Sequence, residues 1–226
     1  MLLTVRKGTG RFKWYDLGFV HLDIKHLPAL RTSDGQVRRR YLFVAIDRCS
    51  RFVHLGVYDD LTQRSAIAFL RAVRAALPFR VRIVLTDRGA SFKGVFHHAC
   101  EALGVEHRRT KPYTPQTNGM AERFNGRVQR EVLNITVGSH RALEALLLGY
   151  NLAYNLRKQR VLSGRAPTDV VRERLGARPE LANTDWQLTR SGALVAAMAV
   201  VEPPRTYRNH TANRADFASS PIGSAK

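Results

Sequence analysis

Three carboxylates occupy positions where a purely structural protein has little use for an acid. Asp23 lies mid-strand, where Val20, Leu22 and Ile24 alternate with His21, Asp23 and Lys25. That period-2 pattern reads as a strand with one packed face and one polar face. Asp87 closes the apolar run VRIVLTD, at the carboxyl end where open α/β sheets bind ligands. Glu122 follows the Pro/Gly/Asn-rich segment KPYTPQTNG and opens a long helix from about Met120. Met120, Phe124, Val128 and Val132 recur every fourth residue and form its packed stripe. Glu122 lies about 200° round from Met120 at 3.6 residues per turn, so it faces away from the core. Asn118, Asn125, Gly126 and Gln129 share its face. A glycine inside a helix costs roughly 1 kcal/mol relative to Ala, so Gly126 hints at close approach by a ligand.

Three convergent carboxylates repel one another, by about 4 kcal/mol per pair at ~4 Å and an effective dielectric of 20. Hard divalent cations remove that cost, and oxygen-only ligands suit Mg²⁺ or Mn²⁺. Two such ions about 3.5–4 Å apart can activate an attacking oxygen and stabilise a leaving oxygen at phosphorus. Each acid also has a bland reading. Asp23 alone reads equally well as a solvated edge residue, and Glu122 alone as a first-turn acid matching the helix dipole. Asp47 ends the apolar strand YLFVAID much as Asp87 ends its own, but it stands beside a turn at Cys49–Ser50 and is read as outside the metal set. His97, His98 and Cys100 could suggest zinc. Cys100 falls on an apolar helical stripe, however, and no second pair has ligand spacing, so core packing is favoured.

The elements that must position these acids follow from periodicity. After the first strand, the turn-rich RTSDGQVRRR carries the Asp-Gly pair of hairpin turns. YLFVAID (41–47) and RFVHLGVYD (51–59) complete an antiparallel meander. Apolar residues at Ala66, Ile67, Leu70, Val73 and Leu77 then take helical spacing, with Thr62 as N-cap and Pro78 as stop. VRIVLTD (81–87) is a buried strand, and a short helix over 94–104 ends at Gly104. VEHRRT (105–110) is a fifth strand, followed by helices from about Met120 and over about 141–154. Strand-strand-strand-helix-strand-helix-strand-helix is the order of a mixed α/β sheet flanked by helices.

The 226 residues include 37 Lys plus Arg against 18 Asp plus Glu, a net charge of +19. Such an excess implies a polyanionic partner, nucleic acid first of all. Two cysteines make no disulfide framework and fit a reducing cytosol. No apolar run is long enough for a membrane span or a signal peptide. Residues 156–178 are strongly basic and read as a surface that tracks phosphates, and 192–201 as a small strand or helix with no evident chemistry.

The segments HLDIKHL, YLFVAIDRCSRF, VLTDRG and KPYTPQTNGMAERFNGRVQRE resemble the integrase catalytic core of insertion-sequence transposases and retroviral integrases, the DDE recombinases. YNLAYNLRKQRVLSGRAPTDVV resembles the basic segment that follows the core in bacterial transposases. The resemblance covers roughly residues 15–175, and its most specific part is PYTPQTNGMAERFN with LTD at the expected distance upstream. It implies an RNase H-like mixed five-stranded sheet flanked by helices, with a basic helical C-terminal extension. Its divisions are a leader or linker remnant at 1–15, the catalytic core at 16–138, the extension at 139–178, and a small C-terminal segment with a disordered tail at 179–226. It carries Asp23, Asp87 and Glu122 onto the family's catalytic, metal-binding acids, holding two Mg²⁺ with Mn²⁺ as substitute. The implied reaction is metal-dependent phosphodiester hydrolysis at an element end, then attack of the freed 3′-OH on target DNA, without ATP or a covalent protein intermediate. Candidate DNA contacts are Arg108, Arg109, Lys111, Gln116, Asn118, Arg123, Asn125, Arg127, Arg157, Lys158 and Arg160. Expected partners are element ends and target DNA, with the chain at least dimeric, no membrane, and a bacterial cytoplasmic, nucleoid-associated location.

Two departures qualify the resemblance. The family usually has Asn after the second Asp, where this sequence has Arg88, and related transposases carry an upstream helix-turn-helix where little precedes the core here. A truncated DNA-binding fragment that modulates an intact transposase, and a ribonuclease H-like nuclease, are the alternatives.

Overall fold

The computed structural model describes residues 15–31, 35–110 and 119–183. Most of the expected leader, the segment 111–118 with Lys111, Gln116 and Asn118, and the expected tail with its apolar 192–201 run lie outside the described residues.

The first strand, β1 (Phe19–His26), is followed by two short strands, β2 (Leu30–Arg31) and β3 (Val37–Arg38), which pair antiparallel. β4 (Tyr41–Asp47) and β5 (Val53–Tyr58) complete the expected meander. Helix α1 (Gln63–Ala76) leads to β6 (Ile83–Thr86), α2 (Val95–Ala102) and β7 (Glu106–Arg109). Helices α3 (Gly119–Glu131), α4 (His140–Leu156) and α5 (Pro167–Ala177) follow. The five long strands form one sheet in the order β5-β4-β1-β6-β7, with β1 antiparallel to β4 and parallel to β6. Thr62 caps α1 as its sequence predicts, accepting the Ser65 N–H at 3.2 Å.

The period-2 reading of β1 needs correction. β1 is the central strand, and helices cover both of its faces. Val20 and Leu22 enter one core with Phe43, Ala45, Phe69 and Val84, closed by residues of α1, α2 and α5. The other face is sealed by Phe124 and Val128 of α3 and Leu143 and Leu147 of α4, packed on Leu42, Val44 and Ile46 of β4. His21 lies on that second face and is only 2% exposed. His21 is thus polar without being wet, while Asp23 and Lys25 further along the same face are partly exposed.

Two buried polar anchors hold the sheet to its surroundings. Asp47, fully buried, accepts the Gly18 N–H at 2.9 Å, and the Ser50 N–H and hydroxyl at 2.7 and 2.8 Å. It is a turn staple, as its place beside Cys49–Ser50 suggests. Gly18 has φ +95°, and a Cβ there would stand 2.2 Å from the Arg80 carbonyl oxygen, so only glycine fits. Asn155 of α4 plays a similar part: its amide accepts the Val53 N–H and donates to the Val53 carbonyl, both at 2.8 Å. The α4 side chain thus imitates a neighbouring strand at the start of the edge strand β5. Asn155→Ala leaves both Val53 groups buried without partners, and is expected to cost about 2–4 kcal/mol. Urea unfolding of the purified protein reads this as a lower midpoint with unchanged slope.

Candidate active site

The sheet brings two of the three acids together by register. β1 and β6 pair Phe19 with Ile83, Val20 with Val84 and His21 with Leu85. Asp23 lies two residues beyond the last residue of β1 paired with β6, and Asp87 directly follows β6. Both then lie on the face that α3 covers. Their strands run parallel, so both acids arrive toward the carboxyl ends, as sheet topology favours for ligand sites.

Helix α3 supplies the third. Its packed stripe is Phe124, Val128 and Val132, with Ala121 also fully buried and Met120 at the margin. Glu122 is therefore exposed, as the helical wheel predicts. Asn125, one turn on from Glu122, donates its Nδ2–H to Asp23 Oδ2 at 2.7 Å, while the Ile24 N–H meets Oδ1 at 3.0 Å. Asn125 is thus tied to the acid itself. A Cβ at Gly126 would meet only the end of the Arg130 side chain, at 3.4 Å, so no protein group requires glycine there.

Charge shows that the three acids share one field. Burial raises the Asp23 carboxyl to about 6, and the negative charges of Asp87 and Glu122 push the same way, against the Ile24 and Asn125 hydrogen bonds. Among the described residues no three His, Cys, Asp or Glu side chains are gathered closely enough to hold a metal ion. Hard oxygen donors in this number fit Mg²⁺ or Mn²⁺ and not zinc.

The surroundings of Asp87 keep it in place. Gly89 donates its N–H to Asp87 Oδ1 at 2.8 Å, and a Cβ at Gly89 would press on that oxygen at 2.9 Å. Arg88 turns outward and its Nε–H donates to the Thr110 carbonyl at 3.1 Å. The departure from Asn at this position thus leaves the guanidinium bound to the end of β7, away from the acids.

The basic candidates divide by their neighbours. Arg109, Arg123, Lys158 and Arg160 are exposed. Arg108 makes a two-pronged pair with Glu106 at 2.6 and 3.0 Å, and Arg157 pairs with Glu131 at 2.9 Å. Arg127 lies over the Tyr154 ring at 6.0 Å. Cys100 is fully buried, in line with core packing, and His97 meets His107 at 3.3 Å between their Nδ1 atoms. Sequence reasoning missed Asn155, whose only signal is an amide inside the apolar face of YNLAYNL. It also missed Arg48 and Arg51, which flank the β4–β5 turn.

Two family models, both described as integrase core domain, match residues 17–115 and 103–160. Together the two matches span residues 17–160, on a five-stranded mixed sheet of RNase H-like fold. Integrase core domains generally depend on divalent metal ions. Over 136 residues the chain is 23% identical to an uncharacterized Caenorhabditis elegans protein, covering 60% of this chain and 11% of that one. Over 120 residues it is 25% identical to the Gag-Pro-Pol polyprotein of sheep pulmonary adenomatosis virus, covering 52% of this chain and 6% of the polyprotein. The chain thus spans about a tenth or less of these curated relatives. Its fold is similar to a chain of the simian T-cell lymphotropic virus intasome in complex with PP2A regulatory subunit B56 gamma, with a TM-score of 0.58 at 22% identity. That match covers 74% of this chain and 58% of the other. Among the described residues no helix is long and apolar enough to cross a membrane.

Proposed function

We propose that the integrase core is the catalytic unit of a transposase of insertion-sequence type, a DDE polynucleotidyl transferase that cuts a DNA phosphodiester and joins the freed 3′-OH to target DNA. One observation carries this reading: Asn125, one turn beyond Glu122 on α3, hydrogen-bonds Asp23 on β1, whose carboxyl is raised by burial and also by the charges of Asp87 and Glu122, 64 and 99 positions further along the chain. Proteins rarely concentrate acids on a strongly basic chain unless something positive is to be held there.

Asp23, Asp87 and Glu122 are the groups that would hold two Mg²⁺, or Mn²⁺ in their place. Bound there, the metal supplies Lewis-acid stabilisation of the charge that develops on phosphoryl oxygens. The chain's own residues do the positioning. Asn125 fixes the carboxylate plane of Asp23, and the Gly89 N–H orients Asp87. Glu122, exposed on the first turn of α3, is the acid free to swing toward a substrate. Arg109, Arg123, Lys158 and Arg160, with the outward-facing parts of Arg108, Arg127 and Arg157, offer phosphate contacts for element and target DNA. Synapsis of two ends calls for at least a dimer.

The test is strand transfer by the purified chain on a pre-cut DNA end with Mn²⁺. Wild-type protein is expected to give joined product, and Asp87→Asn none, while both bind the DNA equally. Joined product from Asp87→Asn, or none from either wild type or Arg88→Asn, would remove the catalytic reading in favour of DNA binding alone.

A further inference from the structure

A second charged feature lies apart from the acids. A cavity of 280 Å³ opens at the β4–β5 turn, lined by Tyr15, Arg48, Arg51, Ser163, Arg165 and Arg174 among others. Four guanidinium groups border it, and none of the lining residues is a carboxylate. Two nearby acids are engaged elsewhere, Asp47 with Gly18 and Ser50 and Asp16 with Arg178, while Glu173 pairs with the cavity's own Arg165. Burial holds both Arg48 and Arg51 below the ordinary guanidinium range. The same two charges help burial push His21 down to about 3, so the positive field reaches well into the sheet.

The backbone marks the same place. Among the described residues only Arg51, at φ 63°, and Ser163, at φ 54°, adopt the left-handed region without being glycine, and both line this cavity. Non-glycine residues held in that region gather at ligand clamps and active sites. Tyr15 supports the wall, with the Arg48 guanidinium 4.9 Å from its ring centroid.

We propose that this cavity binds a phosphate ester, gripped by the Arg48, Arg51 and Arg174 guanidinium groups at a site distinct from the carboxylates, with Arg165 on its rim held by Glu173. A guanidinium presents paired N–H donors that match phosphate oxygens, and a multiply charged anion answers several cations better than a single carboxylate. The site is displaced along the sheet. Arg48 donates its N–H to the Phe19 carbonyl at 2.8 Å, and Asp23 lies four residues further on, about 13 Å at 3.3 Å per residue. That distance corresponds to about four nucleotides of duplex rise. The ester is either a backbone phosphate of DNA whose neighbouring segment reaches the acids, or a free phosphorylated molecule. Only the first source rests on the function proposed above.

Inorganic pyrophosphate, titrated calorimetrically into the full chain without divalent metal, is the probe for the free anion. A 20-base-pair duplex, followed by fluorescence anisotropy across a salt series, is the probe for DNA. Wild type is expected to bind pyrophosphate, with affinity reduced at least tenfold in Arg174→Gln and in Arg51→Gln, and partly retained in Arg174→Lys. If DNA is the source, the glutamine variants also weaken duplex binding and lower the logarithmic salt slope by about 1. If the source is a free phosphate compound, only pyrophosphate binding falls. Unchanged binding of both probes in well-folded Arg174→Gln overturns the proposal. Glu122→Gln separates the two readings, because it is expected to abolish strand transfer while pyrophosphate binding stays intact.

Discussion

Asp23→Asn is expected to abolish strand transfer and, in the same molecule, to stabilise the fold. Outer-sphere partners of metal sites are worth about 10–100-fold when removed; a ligand carboxylate exceeds that, so a loss on the order of 10³-fold or more is the expected readout. The gain in stability comes from the field that makes the site useful. The Asp23 carboxyl stands at about 6 in the folded chain against 3.8 as its ordinary value. Between those two pH values the folded chain holds a proton that the unfolded chain has released. Stability therefore falls as pH rises through that window, and the deficit is complete above about pH 6. Two pH units at 1.36 kcal/mol each set an upper bound near 3 kcal/mol, and partial exposure brings the expected gain to roughly 1–2 kcal/mol at pH 7. The neutral amide can keep its oxygen toward Asn125 but then turns its nitrogen toward the Ile24 N–H, and loss of that one hydrogen bond draws the gain toward the lower end of the range.

The same substitution at Asp47 is expected to act the other way, although burial raises that carboxyl to about 6 as well. The Asp47 carboxylate is ringed by donors: the Gly18 N–H, the Ser50 N–H, the Ser50 hydroxyl and the Cys49 N–H. An amide nitrogen would face an N–H in that ring, leaving buried donors unmatched at a cost of about 2–4 kcal/mol. Thermal melting of the two variants side by side separates a functional acid from a structural one. A destabilised Asp23→Asn would mean that the acid is structural after all.

Acidification from pH 6.5 to 4 is expected to destabilise the protein by about 2–3 kcal/mol, enough to lower its melting temperature by several degrees. Burial keeps His21 at about 3, and His54 and His107 at about 4, against 6.5 for a free imidazole. A depressed histidine gives stability that is present above 6.5 and lost as pH falls toward its folded value. Asp23 and Asp47 oppose this between 6 and 3.8. At pH 5 three histidines would take up protons on unfolding against two acids that would release them, a net uptake of about one proton. Stability then falls by roughly 1 kcal/mol per pH unit, and the chain's own positive charge adds to the loss. His21 is the decisive residue, since both of its ring nitrogens are buried without hydrogen-bond partners. His21→Phe is expected to raise the melting temperature at pH 7 and to flatten its decline toward pH 5. A decline as steep as in wild type would assign the acid sensitivity to other groups.

Much of the scaffold was legible in the sequence because it is written in local pattern. Thr62 before a helical period, Gly104 after one, the Asp-Gly turn and the apolar YLFVAID each specify an element through neighbours a few residues away. Glu122 could be placed on the outer face of its helix for the same reason: a packed stripe at every fourth residue leaves little choice of direction. The motif spacing also put Asp23, Asp87 and Glu122 forward as one set.

What local pattern could not show is which faces are covered. The alternation along β1 reads as half-exposed, yet the strand is central, and α3, a hundred residues later, closes over its polar side. Burial by that helix turns Asp23 from an ordinary acid into a perturbed one and strips His21 of partners. Asn125 reads as a DNA contact on a helix face and becomes, in three dimensions, a hydrogen-bond partner of Asp23. The cavity of arginines joins the β4–β5 turn to residues 163–174, positions whose charges mean nothing together until the chain returns past the edge of the sheet. Periodicity and motif spacing set the elements and named the acids. Tertiary packing alone decided their environment, because burial and electrostatic fields depend on distance in space and not on distance along the chain.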